Sequence, residues 1–228
     1  MQSRNKKTQK YEIIILAAGQ GFQLDGFNKL LIKDPVTNKR IIDIYLEIFK
    51  NFKITIVLGF RAINVMHEYP KINYIFNPSW ATTNNSYSLG LALKNNPVII
   101  LSGDLIFEKK LITDFLKLDS DAIITKKNFN RSSNSLNSIT NKKNLISKIY
   151  SGKIKDINHQ ETMGIFQIKS KEVLKKLASN CLNNKKKFVA ENLPLQSHKF
   201  KNFDATDYRL DEINNPSDFI KIKNKYNI

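Results

Sequence analysis

The sequence has little cysteine and no long apolar run. Its 228 residues include one cysteine, Cys181, so no disulfide can form within the chain. No apolar run approaches the ~20 residues that a membrane-spanning helix needs. Cys181 lies in a helical pattern without a partner motif, which is typical of a packed or surface thiol rather than a nucleophile. These shortages exclude a disulfide-stabilised scaffold and predict a cytoplasmic protein without membrane insertion.

Acidic residues are also scarce. The chain has 20 Asp and Glu against 37 Lys and Arg, and its net charge is +17. A basic protein can bind nucleic acid, but here the lysines are spread along the whole chain and no RNA-binding signature is visible. Small phosphorylated molecules are acidic partners that suit such a protein equally well. We therefore expect no specific nucleic-acid partner.

Segments of strand and helix character alternate along the chain. The patterns predict strands over residues 13–16, 53–59, 73–77, 97–102 and 121–125, and helices over residues 39–52, 62–68, 84–95, 108–118 and 171–182. After Lys127 the sequence turns polar, and strands over residues 145–150, 153–157 and 163–169 predict a small antiparallel excursion. A last helix begins at Pro216 with Asn215 as its N-cap. The alternation predicts a single Rossmann-like three-layer α/β domain with a mostly parallel mixed sheet, over residues 11–228, after a loose basic N-terminal tail over residues 1–10.

A glycine turn follows the first predicted strand. The apolar run from Ile13 to Leu16 ends in Ala17, Ala18, Gly19, Gln20 and Gly21, and Lys29 comes eight residues later. Small residues let the backbone approach a ligand, and turn N–H groups and a lysine both suit an anion. A phosphate site at the C-terminal end of a parallel strand is therefore predicted. The turn is neither a Walker loop nor a dinucleotide fingerprint, and an ordinary strand and turn is the alternative.

A second turn carries a carboxylate. The segment LSGDLIF places Ser102, Gly103 and Asp104 directly after a buried strand. Mg²⁺ is commonly held by one or two carboxylates together with substrate phosphates. Asp104 is therefore a candidate metal ligand at the same sheet edge as the glycine turn, although an aspartate in such a turn is common.

Five segments together resemble the nucleotidyltransferase superfamily. LAAGQGFQ followed by FNKLL resembles its signature Leu-Ala-Ala-Gly-x-Gly-x-Arg with a later lysine, except that Gln23 stands at the arginine position. LSGDLIF resembles its Gly-Asp metal motif, and FNPSWATTNNSYSLGLAL its nucleobase-reading segment. HQETMGIFQIKS resembles its acceptor strand, and DEINNPSDFIKI its terminal metal motif, with Asn214 at the usual aspartate. Phosphocholine cytidylyltransferases and sugar-1-phosphate nucleotidyltransferases are the most similar in character, and FNKLL also resembles molybdenum-cofactor nucleotidyltransferases.

The resemblance implies a fold of the nucleotide-diphospho-sugar transferase type and a role for each matching residue. Lys29 would be catalytic, Glu161 would contact the acceptor, and Asp104 and Asn214 would bind Mg²⁺. An NTP, with CTP favoured, would be joined to a small phosphorylated or phosphonate acceptor similar to phosphocholine, with release of pyrophosphate. The implied nucleotide-binding residues are Leu16, Ala17, Ala18, Gly19, Gln20, Gly21, Gln23, Lys29, Asn85, Ser88 and Gly103.

Several alternatives stay open from the sequence. Asp211 is a fallback metal ligand, and His159 is more typical of a solvated loop than of a catalytic group. Trp80, Tyr208 and Glu161 could form a cage for a cationic head group. A sugar-1-phosphate nucleotidyltransferase and a non-catalytic nucleotide-binding regulatory domain both fit the segments, and a homodimer is open. A glycosyltransferase is disfavoured because the turn at Asp104 lacks an Asp-x-Asp motif.

Overall fold

A computed structural model describes residues 11–21, 26–128 and 135–228. The predicted N-terminal tail and Gln23 lie outside the described residues. The strands are β1 Glu12–Ala17, β2 Lys53–Leu58, β3 Asn73–Phe76, β4 Val98–Ser102, β5 Leu105–Phe107, β6 Ala122–Lys126, β7 Leu136–Thr140, β8 Leu145–Ser151, β9 Gln160–Ile168, β10 Phe200–Asp204 and β11 Leu210–Glu212. The α-helices are α1 Ile41–Ile48, α2 Ala62–Glu68, α3 Asn85–Ala92, α4 Lys109–Phe115, α5 Lys171–Asn183 and α6 Pro216–Lys225, and short 3₁₀ helices span Lys29–Leu31 and Val189–Asn192.

Nine of these strands form one sheet, in the order β3-β2-β1-β4-β9-β6-β10-β8-β7. Strands β1 to β4 run parallel, and β9 enters antiparallel between β4 and β6. The pair β7 and β8 extends the far edge antiparallel, and β11 pairs with β5 in a small second sheet. The C-terminal ends of β1, β4 and β6 therefore lie at the same edge as the N-terminal end of β9.

Hydrophobic side chains cover both faces of the sheet. Along β1, Ile13 and Ile15 point into a core shared with α1 and α4, while Ile14 and Leu16 point into a second core shared with α3 and α5. Because side chains alternate across a strand, a continuous apolar run such as this one fits a strand with helices on both faces. The predicted fold class is confirmed: a three-layer α/β arrangement with a mostly parallel mixed sheet and an antiparallel excursion.

One predicted strand is wrong. Residues 153–157 form bends and a turn, and Ile157 is 68% exposed. The carboxylate of Asp156 accepts the N–H of Asn158 at 2.8 Å, and the Asp156 carbonyl accepts the N–H of His159 at 3.1 Å. These local bonds favour a turn over ladder pairing. The short strands β5, β7, β10 and β11 were not individually predicted, because their sequences lack a long alternating pattern.

The single cysteine lies in the hydrophobic core. Cys181 is fully buried in α5, and this burial raises the pKa of its thiol to about 12. The residue is therefore a core side chain with little thiolate character. Among the described residues, no helix has both the length and the apolar character that crossing a bilayer requires.

Candidate active site

The turn after β1 presents backbone donors at the sheet edge. Gly21 has φ +56°, and a Cβ there would lie 3.0 Å from the carbonyl oxygen of Phe27, so glycine suits both the dihedral and the close approach. The Ala18 carbonyl accepts the N–H of Phe60 at 3.0 Å, which fixes the turn to the end of β2. Within the described residues, the N–H groups of Gly19, Gln20 and Gly21 have no hydrogen-bond acceptor. The turn can therefore offer these donors to an anion, and the phosphate site expected there stays a prediction.

Lys29 lies on a short, well-anchored helix. The side chain of Asn28 caps this 3₁₀ helix by accepting the N–H of Leu30 at 3.1 Å, and Leu30 is fully buried. The ammonium of Lys29 donates to Asp104 Oδ2 at 2.8 Å and to Asn214 Oδ1 at 2.7 Å. Three residues from separate sequence segments therefore meet at one point, and they are the three that the family resemblance singled out as the catalytic lysine and the metal ligands.

The backbone around Asp104 is held from several directions. The N–H of Gly103 donates to the Leu16 carbonyl at 2.9 Å, and a Cβ on Gly103 would approach Ala17 Cβ to 2.8 Å. Gly103 therefore lets the β4 turn pack directly against β1. The buried hydroxyl of Tyr45 lies 2.9 Å from the carbonyl oxygen of Ser102 and 2.8 Å from that of Leu105, and it can donate its single hydrogen to either one. Tyr45 lies within the helix predicted over residues 39–52, and its role as a brace for the Asp104 turn depends on tertiary packing.

Asn214 is positioned by the start of α6. Asn215 caps this helix by accepting the N–H of Asp218 at 3.0 Å, and Asp218 Oδ2 in turn accepts the N–H groups of Asn214 at 3.1 Å and Asn215 at 3.3 Å. This reciprocal arrangement is a capping box. Asp218 therefore serves the helix N-terminus, and it also fixes the backbone that carries Asn214.

Glu212 is an additional site residue that the sequence analysis missed. It is the last residue of β11, paired with Leu105 of β5, and its side chain hydrogen-bonds to Asn214. Desolvation by the surrounding protein and, after it, the negative charge of Asp104 raise the pKa of Glu212. The residue still keeps an exposed surface, through which a ligand could reach it. A carboxylate two residues before Asn214 on a strand end was the available signal, because alternate strand residues share a face.

Asp211 faces the other side of β11. Its carboxylate accepts from Lys225 at 2.6 Å and from the Tyr226 hydroxyl at 2.9 Å, both in or directly after α6. The fallback ligand is therefore committed to the C-terminal helix, and the structure brings Glu212 rather than Asp211 to Asp104.

One ammonium, that of Lys29, lies among the carboxylates of Asp104, Glu212 and Asp218 in this cluster. Burial disfavours the charged form of Lys29, but Asp104, Glu212 and Asp218 outweigh that effect and raise its pKa, so the ammonium is charged at neutral pH. Asp104 Oδ1 is buried and has no hydrogen-bond partner among the described residues. No group of three or more His, Cys, Asp and Glu side chains suited to a metal occurs in residues 11–21, 26–128 and 135–228. The available oxygen set is two carboxylates and one amide, from Asp104, Glu212 and Asn214, and such hard oxygen donors fit Mg²⁺.

The two predicted base-reading residues make structural contacts. Asn85 Oδ1 accepts the N–H of Val189 at 3.0 Å. Ser88 is 2% exposed, and its hydroxyl oxygen accepts from Asn77 Nδ2 at 3.0 Å. No hydrogen bond in the described part of the chain joins either side chain to Lys29, Asp104 or Asn214, so their role in nucleotide binding stays a prediction.

The residues considered for acceptor binding do not all come together in the structure. Glu161 lies near the start of β9, at the same sheet edge, and accepts from Asn128 Nδ2 at 2.8 Å. His159 Nδ1 hydrogen-bonds to the Tyr150 hydroxyl at 2.8 Å. Within the described part of the chain, no ring contact joins Trp80 to Tyr208, because Trp80 packs on Phe60 and Tyr208 packs on Phe203. The cage suggested for a cationic head group is therefore not formed by these two rings.

Solved structures that are similar to this chain include several nucleotidyltransferases. The chain is similar to CTP:phosphocholine cytidylyltransferase from Streptococcus pneumoniae, with TM-score 0.74 and 17% identity, over 96% of this chain and 100% of that one. It is also similar to inositol-1-phosphate CTP transferase from T. maritima, with TM-score 0.71 and 18% identity over 94% and 97% of the two chains. A glucose-1-phosphate thymidylyltransferase from Bacillus anthracis, so described provisionally, gives TM-score 0.73 and 15% identity over 94% of each chain. The chain therefore has the fold of the nucleotide-diphospho-sugar transferases.

The similarity found from sequence alone covers a smaller part of the chain. The chain is 30% identical over 107 residues to the bifunctional protein GlmU of Methanococcus maripaludis, an alignment that covers 44% of this chain. It spans 26% of the length of that curated relative. No protein-family model matches the sequence.

Proposed function

We propose that this chain is a Mg²⁺-dependent nucleotidyltransferase that joins an NTP to a small phosphorylated or phosphonate acceptor and releases pyrophosphate. The observation that carries the proposal is the convergence of Lys29, Asp104 and Asn214 beside the glycine turn, with Glu212 next to them. The turn offers N–H groups that have no acceptor among the described residues, and a lysine and a carboxylate pair lie beside it. Phosphoryl transfer needs such hydrogen-bond donors, positive charge and metal ligands.

The reaction is a displacement between two anions. An oxygen of the acceptor phosphate attacks the α-phosphorus of the NTP, the bond from that phosphorus to the bridging oxygen breaks, and pyrophosphate leaves with the electron pair. Such a reaction requires alignment and neutralisation of charge rather than a covalent enzyme intermediate. Lys29 would neutralise charge at the α-phosphate, and the N–H groups of Gly19 to Gly21 would bind the triphosphate.

Asp104, Asn214 and the newly identified Glu212 are the residues that would hold Mg²⁺. Asp104 Oδ1, which has no hydrogen-bond partner in the described part of the chain, supports this assignment, since a buried carboxylate oxygen without a donor is costly unless a cation satisfies it. When bound, the metal would supply further positive charge to the reacting phosphates. In the structure, Lys29 donates to the other carboxylate oxygen of Asp104, Oδ2, and to the amide oxygen of Asn214, and an incoming triphosphate would give its ammonium a second anionic partner.

Two observations bear on the substrates. The segment around Asn85 and Ser88 resembles that of cytidylyltransferases, and two of the similar structures are CTP-dependent by description, which favours CTP with a phosphocholine-like acceptor. The glucose-1-phosphate thymidylyltransferase favours a sugar 1-phosphate instead. We take the first as the primary proposal and the second as the alternative, and the cytoplasm, which contains the nucleoside triphosphates, as the compartment.

A pyrophosphate-release panel tests the proposal. It would combine the four NTPs with phosphocholine, 2-aminoethylphosphonate and several sugar 1-phosphates, with and without Mg²⁺. We expect release in one combination, and a loss of about 10²-fold or more in kcat/KM for Lys29→Ala and Asp104→Ala, as for removal of a preorganised charge-stabilising group. Lys39→Ala, at an exposed lysine paired with Glu47, is the control and should retain activity.

Two negative outcomes have different meanings. Binding of an NTP without release in any combination would support the non-catalytic regulatory reading. No NTP binding by a folded protein would refute both the enzymatic and the regulatory readings.

A further inference from the structure

Lys126 is a second lysine at the active-site edge, and neither the sequence motifs nor the resemblance assigned it a role. It is the last residue of β6. Its Nζ donates to the backbone carbonyl of Leu210 at 2.6 Å, and it makes no ion pair with any described carboxylate. Leu210 opens β11, the strand that ends in Glu212, so the ammonium lies against the strand that delivers Glu212 to the metal-ligand cluster.

The sheet topology places Lys126 opposite the expected acceptor contact. Lys126 and Glu161 are direct partners in the pairing of β6 with β9. On its other side, β9 pairs with β4, whose C-terminal turn carries Asp104. Neighbouring strands are ~4.8 Å apart, so Lys126 lies about two strand spacings across the edge from the Asp104 turn, with Glu161 between them.

Among the residues that the structure describes, Lys126 is also a cation without an ion-pair partner. Burial and the nearby charge of Lys225 lower its pKa, and the attraction of Asp211 and Glu161 does not reverse that effect. Lys29 differs, because Asp104 and Asn214 already accept two of its hydrogen bonds. Half-buried ammonium groups are stabilised by an anion, and the proposed reaction brings two phosphorylated molecules to this edge.

We propose that Lys126 binds the phosphate or phosphonate group of the acceptor, while Lys29 serves the nucleotide. The proposal rests on the nucleotidyltransferase function above and deepens it. Because β6 lies beyond β9 from the glycine turn, Lys126 would meet the acceptor anion from the side opposite to the triphosphate. Two separate lysines would then neutralise the two reacting anions, which suits an attack between like charges.

The test compares the Michaelis constant for the acceptor with the Michaelis constant for the NTP. Lys126→Met keeps the aliphatic stem and removes the charge, and Lys126→Arg keeps the charge. With the NTP and acceptor that give pyrophosphate release in the panel, we expect Lys126→Met to raise the acceptor KM at least about tenfold, the effect expected for a hydrogen bond between charged groups. The NTP KM should change less than about twofold, and Lys126→Arg should recover most of the acceptor affinity.

Lys127→Met is the matched control. Lys127 is the next residue and is exposed, so the variant makes the same change in net charge without removing a group from the edge of the sheet. It should leave both Michaelis constants unchanged. Inorganic phosphate, used as an inhibitor competing with the acceptor, should inhibit Lys126→Met at least about tenfold more weakly than the unaltered protein.

The outcomes separate this proposal from the function on which it rests. An active unaltered protein whose acceptor KM is the same in Lys126→Met would overturn the assignment of Lys126 alone. Equal increases in both Michaelis constants, without recovery in Lys126→Arg, would show a purely structural role and overturn it as well. An unaltered protein that is inactive with every NTP and acceptor would overturn both proposals.

Discussion

The ion pair between Lys29 and Asp104 should contribute measurably to stability before any substrate binds. Their side chains are 21% and 17% exposed, with 2.8 Å between Nζ and Oδ2. Breaking a fully buried pair costs about 3–5 kcal/mol, whereas an exposed pair contributes about 0–1 kcal/mol. For this largely covered pair we expect Lys29→Met to lower the free energy of unfolding by about 2–3 kcal/mol, because Asp104 and Glu212 then face each other without a cation.

A double-mutant cycle isolates the contribution of the pair. The cycle would combine Lys29→Met with Asp104→Asn and follow urea unfolding at neutral pH in the presence of a chelator, so that no metal replaces the ammonium. The coupling free energy should be about 2 kcal/mol. For a chain of this size, Lys29→Met alone should lower Tm by about 5–10 °C.

An exposed pair in the same protein is the control. Lys39 and Glu47 approach to 2.6 Å, but their side chains are 53% and 63% exposed. Lys39→Met should therefore leave the unfolding midpoint nearly unchanged. A Lys29–Asp104 coupling below about 0.5 kcal/mol would refute the reasoning, because it would show that solvent screens the cluster as it screens a surface pair.

Three further predictions concern Gly103, Asp34 and Cys181. Gly103→Ala should lower the free energy of unfolding by about 1–3 kcal/mol and reduce activity, because the new Cβ would approach Ala17 Cβ to 2.8 Å. Gly19→Ala is the control, since a Cβ there meets nothing within 4 Å, and it should leave the Tm in a thermal melt unchanged. Burial disfavours the charged form of Asp34, but hydrogen bonds from Arg209 and Thr37 outweigh that effect and lower its pKa. Asp34→Asn should therefore lower the free energy of unfolding, measured with urea, by its full amount above pH ~4. This loss should disappear as the pH falls through the lowered pKa of Asp34. Cys181 should react with a thiol reagent only after unfolding, since burial raises its pKa to about 12, and rapid reaction of the native protein would contradict its place in the core.

Local sequence pattern was enough to predict the main strands and helices that alternate in the α/β fold. The run before the glycine turn predicted β1, and Pro216 preceded by Asn215 predicted the start of α6. Both features depend on neighbouring residues, since strand burial appears as continuous apolar character and helix caps as fixed residue types. The strand predicted over residues 153–157 failed for the same local reason, because the side chain of Asp156 forms a turn that the apolar pattern does not reveal.

The sequence by itself determined the fold class and picked out Lys29, Asp104 and Asn214, which meet in the structure, because each lies in a recognisable local segment. Only the tertiary structure decided that Glu212 joins Asp104, that Tyr45 braces the Asp104 turn, and that Lys126 faces Glu161. These neighbours are far apart in the chain, and they come together through the insertion of β9 between β4 and β6 and through the pairing of β11 with β5. Strand order is a consequence of how whole layers pack, so no local pattern in the residues themselves records it.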